Sequence, residues 1–218
     1  MRKISMLLFI ACTLAIHQNC SAQLNGTYTV GGISPDYVTV DDAVSDILLH
    51  GVSGDVIFSI RPGYYPTVLH ISSLSYVFKV TFKGESGNAD DVVIAMSYFY
   101  DCSNILFKHL SFNPYTDASS IFHKGMELYE TTKIVFDSCN IIGLDSIVNR
   151  NGICILGVGG SMNILNCNFK NLDNGVFYQG ATPHYFGNNI VFNCTFDSVK
   201  TAIQLSGVLN HSYACVQS

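Results

Sequence analysis

Cys139, Cys167 and Cys194 stand 28 and 27 residues apart, a spacing suited to equivalent positions in a repeat. Three thiolates could hold zinc only with a fourth ligand and a tetrahedral pocket, which a flat column does not offer, so no metal is expected. An exported chain permits a disulfide, but parallel stacking would leave the sulfur-bearing carbons about 4.8 Å apart and pointing the same way, a poor match to disulfide geometry. The expected state is a ladder of reduced, buried thiols. Cys154, flanked by Ile153 and Ile155, has outward parity and is expected to be the thiol that reacts with a labelling reagent.

Acid chemistry finds little support. A glycosidase pair needs two carboxyls within about 5–9.5 Å across one groove. Asp137, Asp173 and Asp197 fall in different bends, Asp41-Asp42 in a short helix and Asp90-Asp91 in a turn. No catalytic residue and no cofactor are assigned. His70, His109, His123, His184 and His211 show no ligand spacing. Asn166 and Asn193, each just before a column cysteine, suit a corner where stacked amides exchange hydrogen bonds and the backbone turns left-handed. Of the aromatics Tyr98, Tyr100, Tyr115, Tyr178 and Tyr185, the segment Tyr98-Phe99-Tyr100 is the best candidate for a sugar contact, through Tyr98 and Tyr100. Tyr178 aligns with Leu205 and is expected in the core.

The elements that must carry these residues are β-strands. The 218 residues are 48% hydrophobic and 12% charged, with 12 Tyr, 14 Phe, 18 Gly and no Trp, a composition suited to a β protein rich in turns. A formal net charge of −5 argues against nucleic acid as a partner. Self-similarity decides the architecture. Asn166-Cys167-Asn168-Phe169 recurs 27 residues later as Asn193-Cys194-Thr195-Phe196. Ile105, Phe107, Leu110 and Phe112 have offsets 0, 2, 5 and 7, repeated by Ile134, Phe136, Cys139 and Ile141 and by Met162, Ile164, Cys167 and Phe169. Ile190, Phe192, Cys194 and Phe196 follow with offsets 0, 2, 4 and 6, as if one residue were lost at the bend. A step of two marks a strand with one buried face, and a step of three marks a corner. Units of roughly 25–29 residues cannot bury an apolar face alone and must stack. The expected fold is all-β: a right-handed parallel β-helix of about six coils over 56–218, preceded by a strand and short capping helix within 23–55. Thr39 or Asp41 can cap that helix, Ala43, Val44, Ile47 and Leu48 form its apolar side, and Gly51 ends it.

Residues 1–22 have the three parts of a secretory signal peptide: Arg2 and Lys3, the apolar run Ile4–Ile16, and Cys20-Ser21-Ala22 before Gln23. A lipoprotein signal through Phe9-Ile10-Ala11-Cys12 and a buried cytosolic helix are the competing readings. The expected product is secreted or held at an outer-membrane surface, with no transmembrane helix.

The strand Gly54-Asp55-Val56-Ile57-Phe58-Ser59-Ile60-Arg61-Pro62-Gly63-Tyr64-Tyr65 and the Asn-Cys-x-Phe coils resemble the pectin-lyase-like parallel β-helices. The leader ending Ser-Ala-Gln and the opening Gly26-Thr27-Tyr28-Thr29-Val30-Gly31-Gly32 resemble large secreted or surface proteins of Bacteroidetes. The resemblance spans about residues 25–207 and implies fold far more than activity. Polygalacturonases would imply Gly-His-Gly and Arg-Ile-Lys, which are absent; pectate lyases would imply clustered Asp beside an Arg base, and the mature chain carries only Arg61 and Arg150. Asp145-Ser146-Ile147 and Asp197-Ser198-Val199 resemble the Asp-Ser/Thr-aliphatic O-glycosylation site of Bacteroidetes, which makes Ser146 and Ser198 candidate acceptors. The functional expectation is a surface, structural or glycan-binding module with polysaccharide as its partner. The alternative is a polysaccharide lyase or glycoside hydrolase. Further C-terminal coils or a sorting domain are expected beyond Ser218.

Overall fold

The computed structural model describes residues 23–66, 69–95, 97–113, 126–143, 151–156, 161–179, 189–206 and 214–217. The leader and Ser146 lie outside the described residues. Strand β1 (Leu24–Val30) runs into helix α1 (Val40–His50), after which the chain winds. Each turn begins with a strand of the first wall. The early turns hold β2 (Val52–Ile60), β3 (Gly63–Tyr65) and β4 (His70–Ser72), then β5 (Ser75–Gly84), β6 (Val92–Ala95) and β7 (Tyr98–Tyr100). The middle of the stack holds β8 (Ser103–Lys108), β9 (Ser111–Asn113) and β10 (Met126–Tyr129), then β11 (Thr132–Asp137), β12 (Asn140–Ile142) and β13 (Asn151–Leu156). Later turns use two strands, β14 (Met162–Leu165) with β15 (Asn168–Gln179) and β16 (Asn189–Phe192) with β17 (Thr195–Ser206); β18 (Ala214–Gln217) is the last.

The result is a parallel β-solenoid of about five turns with one helix near its N-terminus. The first wall has the order β1-β2-β5-β8-β11-β14-β16-β18. The second (β3-β6-β9-β12) and third (β4-β7-β10-β13) are separate in the early turns, and both end on β15. Asn168–Lys170 of β15 pair with β12, while its stretch from Asn174 to Gln179 pairs with β13. One strand thus serves both walls, where the earlier turns use two strands.

Stacking puts like on like. Phe58, Phe82, Phe107 and Phe136 form one interior column, with successive ring centroids 5.2, 5.4 and 5.1 Å apart and nearly parallel planes. The positions at offsets 0, 2, 5 and 7 are all buried in the units starting at Ile105, Ile134 and Met162. The following unit corrects the expectation. Ile164 pairs with Val191, not with Ile190 or Phe192, so Asn189, Val191, Cys194 and Phe196 keep the offsets 0, 2, 5 and 7 and no residue is lost. Ile190 and Phe192 point outward, 40% and 45% exposed. Asn189 can take the interior place because its amide oxygen accepts the Met162 N–H at 2.9 Å, which satisfies a polar group that would otherwise be costly to bury.

The corners are columns too. His109, Ser138, Asn166 and Asn193 all take left-handed φ of 51–55° between the first and second walls, and Ser73, Asp101 and Glu130 take φ of 50–58° between the third wall and the next turn. At the N-terminal end, α1 opens with a full capping box: Thr39 accepts from Asp42 N–H, and the Asp42 carboxylate accepts from Thr39 N–H. Val40, Ala43, Val44 and Ile47 are buried, and α1 packs on β1 and β2. Asp46 fastens the helix outward, accepting the Tyr37 hydroxyl and pairing with His50.

Candidate glycan-contact face

On the third wall, register fixes which side chains share a face. Ile71, Phe99, Leu128 and Ile155 align and point inward. Their neighbours form two outward columns. One runs His70, Tyr98, Glu127, Cys154, Phe177; the other runs Ser72, Tyr100, Tyr129, Leu156. Tyr98 and Tyr100 therefore do share a face, as neighbours of the inward Phe99. Tyr100 is 50% exposed and Tyr129 40% exposed. Their rings are parallel within 10° at a centroid separation of 5.3 Å. Carbon atoms in contact sit about 3.5–4.0 Å apart, so parallel rings at this separation are slipped, and part of each face stays open. Tyr98 is half-buried, with its ring centroid 5.1 Å from that of His70. Burial raises the Tyr98 pKa, and the nearby Glu127 charge adds to the effect. The Tyr98 hydroxyl therefore stays protonated and can donate to a polar ligand.

Tyr129 and Glu127 were readable in the sequence: each lies 29 residues after its partner, Tyr100 or Tyr98, the step that also links Ile105 to Ile134. Cys154 requires a correction. It has the outward parity expected, but it is 1% exposed. The short thiol lies between the longer Glu127 and Phe177 on adjacent rungs, so outward direction does not give reagent access.

The column cysteines occupy the first corner. Cys139 and Cys167 are fully buried and Cys194 is half-buried, and all three are free thiols. Each donates its S–H to the carbonyl two residues back and to a carbonyl in the preceding turn: Cys139 to Asp137 and Phe107, Cys167 to Leu165 and Phe136, Cys194 to Phe192 and Ile164. Cys102, which the repeat analysis passed over, does the same at the third corner toward Tyr100 and Ile71. Burial pushes its pKa up to about 11. Cys194 is raised further, first by its hydrogen bond with Cys167 and then by burial. These thiols seal corner carbonyls and are poor nucleophiles.

Two amide ladders flank the column. Asn193 donates to Asn166 at 2.8 Å, and Asn166 donates to Asp137 at 3.0 Å. Beside them Thr195 donates to Asn168, Asn168 to Asn140, and Asn140 to Asp90. Burial alone would raise the Asp137 carboxyl, but bonds from Lys108, Asn166 and Ser138 outweigh it and hold its pKa below the ordinary value. Asp173 pairs with Lys200, and Asp197 with Lys170. Arg61 binds the carbonyls of Gly31 and Ile33, pinning a loop at the N-terminal end; Arg150 lies outside the described residues. Ser198 is exposed at the bend of β17, with its hydroxyl on Asp197 at 3.1 Å. Among the described residues, no group of three or more His, Cys, Asp or Glu is placed to hold a metal ion, and no helix is long and apolar enough to cross a membrane.

Fold and face together define a parallel β-solenoid with an aromatic outer wall. Compared with protein-family models, curated proteins and solved structures, the chain matches none.

Proposed function

We propose that this chain is an exported surface module that binds glycan chains on the outer face of its third wall. The observation that carries the proposal is the slipped, exposed Tyr100–Tyr129 pair, which offers flat apolar area at little conformational cost beside donating hydroxyls. Binding is favoured over turnover because Asp137, Asp173 and Asp197 are each engaged in ion pairs. The pectin-lyase-like and Bacteroidetes likenesses and the leader 1–22 belong to the same proposal, with delivery to the cell surface or medium and a mature chain starting at Gln23. Amino-terminal sequencing of the exported protein tests the leader, and a start elsewhere refutes that site. Affinity electrophoresis against immobilised polysaccharides tests the face. Tyr100→Ala and Tyr129→Ala should each weaken retention about three- to tenfold, the size of one aromatic contact. Unchanged retention in both would refute the site.

A further inference from the structure

The third wall ends in a step. Its strand order stops at β4, and among the described residues no strand pairs on the side of β4 away from β7. The Tyr98 N–H donates to the Leu69 carbonyl, and the Ser73 N–H to the Tyr100 carbonyl. By the alternation of a parallel ladder, the backbone groups of His70 and Ser72 then point away from β7, toward that open side. The column that carries the tyrosines reads Ser72, Tyr100, Tyr129, Leu156 from this end. Its two rings are stacked across adjacent rungs, so one face of each looks obliquely toward earlier rungs and the other toward later ones. Tyr129 lies between Tyr100 and Leu156. Tyr100 has Tyr129 behind it and only the short Ser72 in front, and 50% of its surface is exposed. A serine side chain ends well short of a tyrosine ring, so the front face of Tyr100 is open.

Resting on the glycan reading above, we infer that the ligand is a neutral, gluco-configured polysaccharide, one ring of which stacks on the front face of Tyr100 in the space that Ser72 leaves open. Carbon atoms in contact sit about 3.5–4.0 Å apart and rungs about 4.8 Å apart, so a pyranose touching Tyr100 lies close to the level of β4. The groups at that level are the exposed Ser72 hydroxyl, the exposed His70 imidazole and the open-side backbone of both residues. They meet the rim of the sugar and leave its faces alone. A ring whose hydroxyls are all equatorial presents bare C–H faces to the tyrosine and its hydroxyls to that rim, where donors and acceptors stand. An axial hydroxyl leaves the ring plane, either toward Tyr100 or away from the rim groups. The neighbouring column offers no second platform, because the imidazole of His70 lies against the front of Tyr98 with ring centroids 5.1 Å apart. Ser72 is thus the residue that sets the site: its small size opens one aromatic face, and one alone.

The test is titration calorimetry of the full mature chain with cellohexaose and with mannohexaose, whose 2-hydroxyls are axial. Cellohexaose should bind about three- to tenfold more tightly, the size of one hydrogen bond. Ser72→Leu covers the front face of Tyr100 without supplying a flat one. It should lose as much cellohexaose affinity as Tyr100→Ala, about three- to tenfold, with an unchanged urea midpoint, since Ser72 is exposed on an edge strand. Ser72→Ala leaves the face open and should lose no more than about threefold. Saturation-transfer NMR on the unmutated protein gives a readout that no folding defect can mimic: irradiating the tyrosine rings should reach the axial C–H protons of cellohexaose. Wild-type affinity in Ser72→Leu, or no transfer to those protons, overturns the inference. Equal or tighter mannohexaose binding also overturns it, as does failure of cellohexaose while another polysaccharide is still retained through Tyr100 and Tyr129; the glycan face then stands with a different ligand. Failure of every polysaccharide to be retained removes the proposed function itself.

Discussion

Phe107 is the residue on which the stacking argument can be tested hardest. It is fully buried, sandwiched between Phe82 at 5.4 Å and Phe136 at 5.1 Å, and met by Phe99 at 5.3 Å and edge-on by Phe112 at 5.6 Å. Phe→Ala in a core costs about 3–5 kcal/mol. With four aromatic neighbours, each pair worth roughly 0.5–1.5 kcal/mol beyond burial, Phe107→Ala should fall at the upper end, about 5 kcal/mol. Phe196 has one stacked neighbour, Phe169 at 4.9 Å, and is half-buried, so Phe196→Ala should cost about 2 kcal/mol. Turns of a solenoid are held by nearest-neighbour interfaces, so the central variant should also uncouple the two ends and split the unfolding transition. Urea titration followed by far-UV circular dichroism and tyrosine fluorescence reads both effects, the latter aided by the absence of Trp. If Phe107→Ala costs no more than Phe196→Ala, and unfolding stays a single transition, the interior column is not what holds the turns together.

Asn166 separates two contributions at one corner. Asn166→Ala loses the bonds from Asn193 and to Asp137 and places a Cβ at φ 55°, whereas Asn166→Gly loses only the bonds; Ala should cost about 1 kcal/mol more than Gly by urea titration. Cys102 gives a pH signature. Its folded pKa of about 11 lies above the model-compound value of 9.0, so its stabilising contribution is complete below pH 9 and is lost as pH rises toward 11. Cys102→Ala should flatten that alkaline loss of stability. Unchanged alkaline sensitivity would mean that other groups set it.

How much was legible follows from what repeats. The spacing of Phe107, Phe136 and Ile164 and of Leu110, Cys139 and Cys167 placed those residues inside, and they are buried. Thr39 and Gly51 bound the helix as capping chemistry requires: Gly51, at φ 73°, donates its N–H to Ile47. Hydrophobicity misled at Ile190 and Phe192, where the register of Asn-Cys-x-Phe outweighed two large apolar side chains and put Asn189 inside. No composition signal marks a buried amide whose partner is a backbone N–H one turn away. Cys154 misled for a related reason, since parity gives direction while access depends on neighbours from other turns. On the candidate face, Tyr98 and Tyr100 were found from local aromatic density. Tyr129 and Glu127 required the 29-residue step to be applied to outward positions as well as to inward ones.

The deeper point is that a residue's backbone here is set by the rung next to it, and the corners allow this to be measured. Lys133 takes φ 54° and Glu130 φ 53°, although neither type favours the left-handed region, whose cost for an ordinary L-residue is roughly 1–2 kcal/mol. Lys133 follows Asn104 in the stack, at φ 58° one turn earlier, and Asn tolerates that conformation. The neighbouring strand fixes the bulge, and Lys133 conforms because the ladder on both sides of it, Thr132 on Ser103 and Ile134 on Ile105, leaves no alternative. Its side chain is exposed, so little packing is at stake. Lys133→Gly should therefore stabilise the fold or leave it unchanged, opposite to the roughly 0.5–1 kcal/mol loss that glycine causes inside an ordinary strand. Lys133→Val should destabilise it, since β-branched residues are the poorest occupants of positive φ. Urea midpoints of the two variants decide the matter: a loss on Lys133→Gly equal to that of a normal strand position would show that the bulge is the residue's own preference, and not one imposed by the stack.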